Sequence, residues 1–263
     1  MSDIEMQLSI LWPALIAGLL VMLSHVPLGQ QVLARGIVFI DLAIAQVAGL
    51  GVIAAHSLGF GAQDWGTQIA AVIAALLAAL LLHWTERKRP EVQEALIGAL
   101  FVLASTAQIL LLANDPHGGE DLKDLLAGQI LWVTPEQLIR AAVLTAIFLF
   151  AWFKLGERFG RIGFYVLFAV MVTLSVQLVG VYLVFSSLII PALATYRYPP
   201  RWQLAIGYGL ATVSYVAGLT ASALLDLPSS AVIVWAMAVI GIVVHLAAPA
   251  TSLALSPGPS PTS

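Results

Sequence analysis

The sequence contains no cysteine and very few charged residues. Without cysteine the chain can form neither disulfide bridges nor thiolate metal sites. Only 10% of its 263 residues are charged and 60% are apolar, which is too apolar for a water-facing surface around a single core. The composition therefore predicts an all-α, polytopic integral membrane protein, because helices satisfy their own backbone hydrogen bonds inside lipid.

Several catalytic motifs are also absent from the sequence. There is no G-x-x-x-x-G-K-[ST] loop to bind nucleotide phosphates, so this chain is not expected to hydrolyse ATP itself. There is no G-x-S-x-G or H-E-x-x-H motif and no pair of aspartates within an apolar run, which argues against an intramembrane hydrolase. The basic stretch ERKR is typical of a topology determinant rather than of nucleic-acid binding.

Long apolar runs predict a helical bundle with about eight or nine membrane-crossing segments, since a span needs ~20 apolar residues. We place them near Leu8–Leu28, Ile37–Leu58, Thr67–Trp84, Gln93–Ala113, Gln137–Lys154, Ile162–Val179, Val181–Ala194, Leu204–Leu225 and Ser229–Leu246. Together they form a single transmembrane domain over residues 1–248. The Pro/Ser-rich tail over residues 249–263 is expected to be disordered.

A glycine is expected to break the longest apolar run. As one helix, Ile162 to Thr195 would be about 51 Å long, well beyond the ~30 Å of hydrocarbon. Gly180 is the obvious hinge, and a chain that returns there collects nine of the 11 basic residues on one side of the membrane. A single crossing would divide them seven to four. The positive-inside rule therefore favours the break, with the N-terminus and the acidic loop Asn114–Asp124 outside the cell.

Three sequence blocks resemble the zinc/manganese-type permeases of metal ABC transporters, the ABC-3 family. PLGQQVLARGIVFIDLAIAQVAGLGVIAA is similar to the family's first block, in which a PLG turn leads to an aspartate and then a histidine on the next span. LLAGQILWVTPEQL is similar to its loop before the fifth span. LVGVYLVFSSLIIPALATYR is similar to its glycine-broken segment, which closes with IIPA. The resemblance extends from about Pro13 to Leu246.

The resemblance implies the permease subunit of an importer for a divalent metal such as zinc, manganese or iron. Such a permease forms a homodimer in the bacterial inner (cytoplasmic) membrane and accepts the metal from an extracytoplasmic binding protein. Cytoplasmic ATPase subunits drive the transport. The metal is the substrate, and no cofactor is expected in this chain. The chain is expected to contact membrane lipid and no nucleic acid.

Two departures mark the chain as a divergent member of that family. The family's second span carries Asp-x-x-x-His, but the fourth residue after Asp41 is Ala45, and the amide of the adjacent Gln46 is a weaker zinc ligand than imidazole. A metal in transit is then expected to be harder or more hydrated than zinc.

The second departure is a shortened cytoplasmic connection. The family's ATPase-contacting helix is missing between the fifth span and the broken helix, and only Lys154–Gly163 joins the two. These residues have room for a turn or two of helix, with Glu157 and Arg158 as candidate ATPase contacts. An alternative function is therefore a transporter of the same fold that is uncoupled from an ATPase or carries a non-metal substrate.

Asp41 is the main candidate for metal binding and passage, because a carboxylate within a span should face a cavity or a partner rather than lipid. Alternatively, Asp41 pairs with Arg35 or caps its helix. Gln46 either lines the pathway or bonds a neighbouring helix. His25, just before the PLG turn, could approach Asp41 across a helical hairpin and supply an imidazole, or could be hydrogen-bonded structure.

The broken helix supplies the other pathway candidates, Gly180, Ser186 and Ser187. Carbonyl groups freed around Gly180 could coordinate a passing ion, whereas the serines could instead satisfy backbone groups. The remaining histidines have less specific positions. An interfacial location is ordinary for His56, His83 and His245, and His117 with Asp115, Glu120 and Asp121 has the ligand types of an external cation-collecting loop.

Overall fold

The computed structural model of the chain describes residues 3–61, 65–112, 115, 118–128 and 130–249. Every regular element in those ranges is a helix, which confirms the all-α prediction. The helices are α1 (Asp3–Arg35), α2 (Ile40–Ser57), α3 (Trp65–Lys88), α4 (Gln93–Leu112), α5 (Gly118–Ala127), α6 (Pro135–Val179), α7 (Val181–Thr195), α8 (Pro200–Leu225) and α9 (Ser229–Leu246), with 3-10 turns at Pro90–Val92 and Ile130–Trp132. The tail from residue 250 onward and His117 lie outside the described residues.

Eight helical segments in the described part of the chain are long and apolar enough to cross a membrane. This confirms the prediction of a multi-pass membrane bundle. The apolar helix α7 is shorter, about 22 Å at 1.5 Å per residue, and cannot span the hydrocarbon alone. It packs against α1, α8 and α9, and most of its residues are buried, as expected for a return segment shielded from lipid.

Helix α1 continues through Pro27 and Gly29, so the predicted turn at this PLG sequence is wrong. Proline lacks the N–H that would bond the carbonyl of Leu23, and the hydroxyl of Tyr208 donates to that carbonyl instead, at 3.1 Å. Gly29 lets α1 approach α7 closely, because a Cβ there would lie 1.9 Å from the carbonyl oxygen of Leu188. Neighbouring helices therefore stabilise a helix that local sequence rules would end.

Helix α6 contains both the fifth span and the first half of the broken segment. It departs from helical geometry only at Gly160, where φ is 57° and ψ is −156°. Glycine adopts this conformation without the steric penalty of a side chain. The expected short connection at Lys154–Gly163 is helical on both sides of this kink, which agrees with the room predicted there for a turn or two of helix.

The predicted break near Gly180 is confirmed, and it has a specific packing partner. Gly180 has φ 81° and ψ 164°, and it separates α6 from α7. A Cβ on Gly180 would lie 2.3 Å from the backbone nitrogen of Gly128, the residue after α5. A Cβ on Gly128 would in turn lie 2.2 Å from the carbonyl carbon of Val179. The two backbones touch here with no room for a side chain.

Four basic residues lie at one end of the bundle, which we call the basic end: Arg35, Lys88, Arg161 and Arg201. The guanidinium of Arg161 lies 3.8 Å from the carboxylate of Glu86 at the end of α3. The guanidinium of Arg35 stacks 4.0 Å from the ring centroid of Phe164. Because α8 runs antiparallel to α1, with Gly207 beside Val26 and Tyr215 beside Gly18, the start of α8 also lies at this end. The opposite end carries α5.

A candidate translocation pathway

Asp41 lies in the first turn of α2 and is completely buried. Neither of its carboxylate oxygens has a hydrogen-bond partner among the described residues. The two structural alternatives for Asp41, an ion pair with Arg35 and a helix cap, are not found among the described residues. Asp41 forms no ion pair there. The N-cap position of α2 is Phe39, whose side chain makes no capping hydrogen bond. Asp41 is therefore an acidic group inside the protein with no partner in the described part of the fold.

Gln46 is buried against a second glutamine, Gln108 of α4. The Nε2 of Gln108 donates to the side-chain oxygen of Gln46 at 2.9 Å and to its main-chain carbonyl at 2.6 Å. The Oε1 of Gln108 has no donor in the described residues. The bond to a neighbouring helix, one of the two expectations for Gln46, is thus present, while its role in passage stays a prediction. Gln108, a polar residue within an apolar span, is the sequence feature that could have predicted this contact.

His25 lies within α1 rather than before a turn, and it is completely buried. Its Nδ1 donates to the carbonyl of Val21 at 2.9 Å, and its Nε2 has no described partner. Helix α1 packs mainly on α6, α7 and α8, and α2 packs mainly on α3 and α4. The expected α1–α2 hairpin is therefore wrong, and the described contacts of His25 include no bond to Asp41.

The serines of the broken helix are both engaged. Ser186 donates to the carbonyl of Tyr182 at 2.8 Å, and the hydroxyl of Ser187 lies 2.9 Å from that of Tyr215. The bond of Ser186 fits the alternative in which the serines satisfy backbone groups, whereas Ser187 bonds a side-chain hydroxyl instead. A role for Gly180 and the two serines in ion passage stays a prediction.

A cavity of about 560 Å³ opens at the end of the bundle opposite the basic end. Its walls come from α2, α3, α5 and both halves of α6. The polar side chains that line it include His56, Gln68, Asp124, Arg140, Thr173 and Gln177. The cavity lies between α2 and the first half of the broken segment, and passage of an ion beside these two elements stays a prediction.

One face of α2 connects this outer cavity with Asp41. Asp41, Ala45, Ala48, Val52 and His56 follow one another at intervals of three or four residues, which is the repeat of a single helix face. Val52 and His56 line the cavity, and the two alanines are buried between them and Asp41. At 1.5 Å per residue, the backbone positions of Asp41 and His56 lie about 22 Å apart along the helix axis.

The candidate ATPase contacts and metal ligands are only partly described. The backbone of Glu157 and Arg158 is helical just before Gly160, at the basic end, but their side chains lie outside the described part. No group of three or more histidine or acidic side chains within the described ranges could hold a metal ion.

Comparisons with known proteins agree with this architecture. The chain is 28% identical to the manganese transport system membrane protein MntC of Halalkalibacterium halodurans, over 86% of this chain and 83% of the relative. It is 26% identical to the high-affinity zinc uptake system membrane protein ZnuB of Haemophilus influenzae, over 82% and 89% of the two chains. A solved structure of PsaBC from Streptococcus pneumoniae has the same fold, with a TM-score of 0.73, 22% identity, and 91% and 92% of the chains covered. Residues 7–159 and 154–248 match the family model of the ABC 3 transport family, and the chain belongs to this family.

Proposed function

We propose that this chain is the permease subunit of an importer that carries a divalent metal cation across the bacterial cytoplasmic membrane. The metal, zinc, manganese or iron, arrives from an extracytoplasmic binding protein, and a separate ATPase drives its passage. The permease works as a homodimer. Family membership and the manganese and zinc transport named for two relatives support the substrate class.

The observation that carries the proposal is the buried, unpartnered carboxylate of Asp41. Ionisable residues within a span are costly, up to ~2.5–3.5 kcal/mol at its centre, and they commonly mark ion pathways. A structural aspartate would have a cation or a backbone N–H as its partner. Asp41 has neither among the described residues, so a transient cation is the partner that best accounts for it.

The ligand types near the pathway favour manganese over zinc. The carboxylate of Asp41 and the amides of Gln46 and Gln108 offer oxygen, and Ala45 offers no ligand on the face of α2 that carries Asp41. Oxygen ligands and water suit manganese, whereas zinc binds more strongly to imidazole and thiolate.

The test is uptake of radioactive Mn²⁺ and Zn²⁺ into cells of the native host, compared between the unmodified chain and its variants expressed at the same level. Asp41→Ala should abolish uptake without lowering the amount of chain in the membrane. Unchanged uptake of both metals by this variant would remove Asp41 from the mechanism.

A second candidate function is a carrier of the same fold that works without an ATPase. It is favoured by the short connection between the two spans of α6, which is a kink at Gly160 rather than a longer segment. Purification from native membranes in mild detergent separates the two functions. A stoichiometric ATPase subunit supports the importer. A chain that purifies only with itself, and whose uptake persists without ATP, supports the uncoupled carrier.

A further inference from the structure

The outer cavity also opens sideways, between α3 and the first half of α6. Trp65, Ile69 and Ile73 recur every four residues along α3, line the cavity and are exposed. On α6, Leu144 lines the cavity and is exposed as well. Exposed apolar side chains of a membrane span face lipid tails, so this opening meets the hydrocarbon of the membrane.

The depth and volume of the cavity match the tail of a phospholipid. Trp65 and Trp132 lie at its outer rim, and tryptophan is enriched where a membrane meets water. From Trp65 to Ile73 the lining descends about 12 Å along α3, close to the ~15 Å of hydrocarbon in one leaflet. The cavity volume of about 560 Å³ is roughly 19 times the ~30 Å³ of a water molecule in the liquid, which is the size range of one acyl chain.

The lining is polar at its outer end and apolar below. The first turns of α3 and α6 and the last turn of α5 provide the polar side chains of the outer end, namely Gln68, Asp124, Gln137 and Arg140. The deeper wall includes Val72, Ile73, Leu144, Val170 and Leu174. Thr173, a polar residue at this depth, donates its hydroxyl to the carbonyl of Ala169 at 2.8 Å. This order of groups matches a phospholipid that enters with its headgroup outside.

The charges at the rim suit a phosphate group beside an ammonium group. The guanidinium of Arg140 lies 3.9 Å from the carboxylate of Glu136 and 5.8 Å from the ring centroid of Trp65, on the other side of the opening. Both contacts are longer than a hydrogen bond, and a guanidinium has several N–H donors, so Arg140 can also bind a phosphate. The carboxylates of Asp124 and Glu136 add negative charge at the same rim, which favours an ammonium there.

We propose that the outer cavity binds one phospholipid of the outer leaflet, with an acyl chain between α3 and α6 and the headgroup phosphate on Arg140. The headgroup is zwitterionic, with a primary ammonium beside the phosphate, as in phosphatidylethanolamine. The tail packs against Val52, Val170 and Leu174, so the lipid stabilises the outer half of the bundle. The inference goes beyond the proposed function and does not depend on it, because neither the metal nor Asp41 takes part.

The first test measures binding of dioleoyl phosphatidylethanolamine to the purified full chain in detergent by native mass spectrometry. One lipid should bind per chain, and Arg140→Gln should weaken its binding by about 10-fold or more, since a charged hydrogen bond is lost. Arg201→Gln is the matched control, because Arg201 is exposed at the basic end and its loss should leave this binding unchanged. Dioleoyl phosphatidylglycerol, which has the phosphate but no ammonium, should bind more weakly.

A second set of variants tests the deep wall. Val170→Phe places a ring in the cavity and should abolish lipid binding. Its matched control is Val143→Phe, since Val143 is exposed on the first half of α6 and is not among the lining residues. The chain has no cysteine, so Val170→Cys adds a single thiol to the cavity. In nanodiscs of phosphatidylethanolamine, a water-soluble maleimide should alkylate this thiol far more slowly than a single cysteine at Leu58, which is exposed after α2.

These results decide the proposal without any transport measurement. Lipid binding that is unchanged by both Arg140→Gln and Val170→Phe would overturn it. Alkylation of Val170→Cys as fast as that of Leu58→Cys would also overturn it, because the cavity would then hold water in the membrane. Tighter binding of phosphatidylglycerol would refute the zwitterionic headgroup. Normal metal uptake by Asp41→Ala would contradict the proposed function and leave the lipid site standing.

Discussion

Asp41→Ala should stabilise the folded protein while it abolishes transport. The substitution removes a buried carboxylate that has no described partner, and leaving a charged group buried and unpaired costs about 2–3 kcal/mol. It also leaves a space of about three heavy atoms, roughly 40 Å³, which costs about 1 kcal/mol. The net expectation is a gain of about 1–2 kcal/mol, or roughly 2–8 °C in melting temperature.

The assay is thermal unfolding of the purified chain in nanodiscs, without added metal, alongside metal uptake in cells. Glu91→Ala is the matched control, because it removes the same charge from an exposed position. Glu91 lies 3.9 Å from Arg89 in an exposed ion pair, and such pairs contribute little to stability. Its melting temperature and its uptake should stay close to those of the unmodified chain.

A lower melting temperature for Asp41→Ala would refute this reasoning. It would mean that the carboxylate has a stabilising partner in the native membrane protein and that its role is structural. A higher melting temperature with normal uptake would also contradict the proposal, because the unpaired charge would then serve no transport step.

Three further substitutions test the surrounding structure. Gly128→Ala should abolish uptake and lower the melting temperature, since its Cβ would lie 2.2 Å from the carbonyl carbon of Val179 and φ at Gly128 is 73°; uptake and melting equal to those of the unmodified chain would contradict the close backbone packing. Gln108→Leu should destabilise the chain by about 1–3 kcal/mol, because the oxygen of Gln46 loses its donor in a buried site, and a denaturation series measures this change. Ala45→His should raise zinc uptake relative to manganese, and an unchanged ratio in competition assays would show that position 45 does not face the metal.

Several features follow from local sequence. Hydropathy predicts the spans because each residue's transfer to lipid depends mainly on its own side chain. Gly180 is recognisable as a break because the apolar run is too long for one crossing. The burial of Asp41 also follows, since a carboxylate avoids lipid whatever its neighbours are.

Other features needed the packed structure. Pro27 should end a helix by local rules, but Tyr208, far along the chain, donates to the freed carbonyl and α1 continues. The partner of Gln46 is Gln108, 62 residues away, and no local pattern connects the two. His56 looks like an ordinary interfacial residue until the walls from α3, α5 and α6 enclose a cavity around it.

The sequence alone determines the membrane class, the approximate spans and the glycine break, because each is a property of single residues or short runs. Which polar groups remain unpaired is a property of contacts between distant helices. Asp41 lacks a partner, and His56 lines a cavity, only because of how the helices pack. The candidate pathway is therefore visible only in the tertiary fold, since the free energy of a buried polar group depends on what surrounds it.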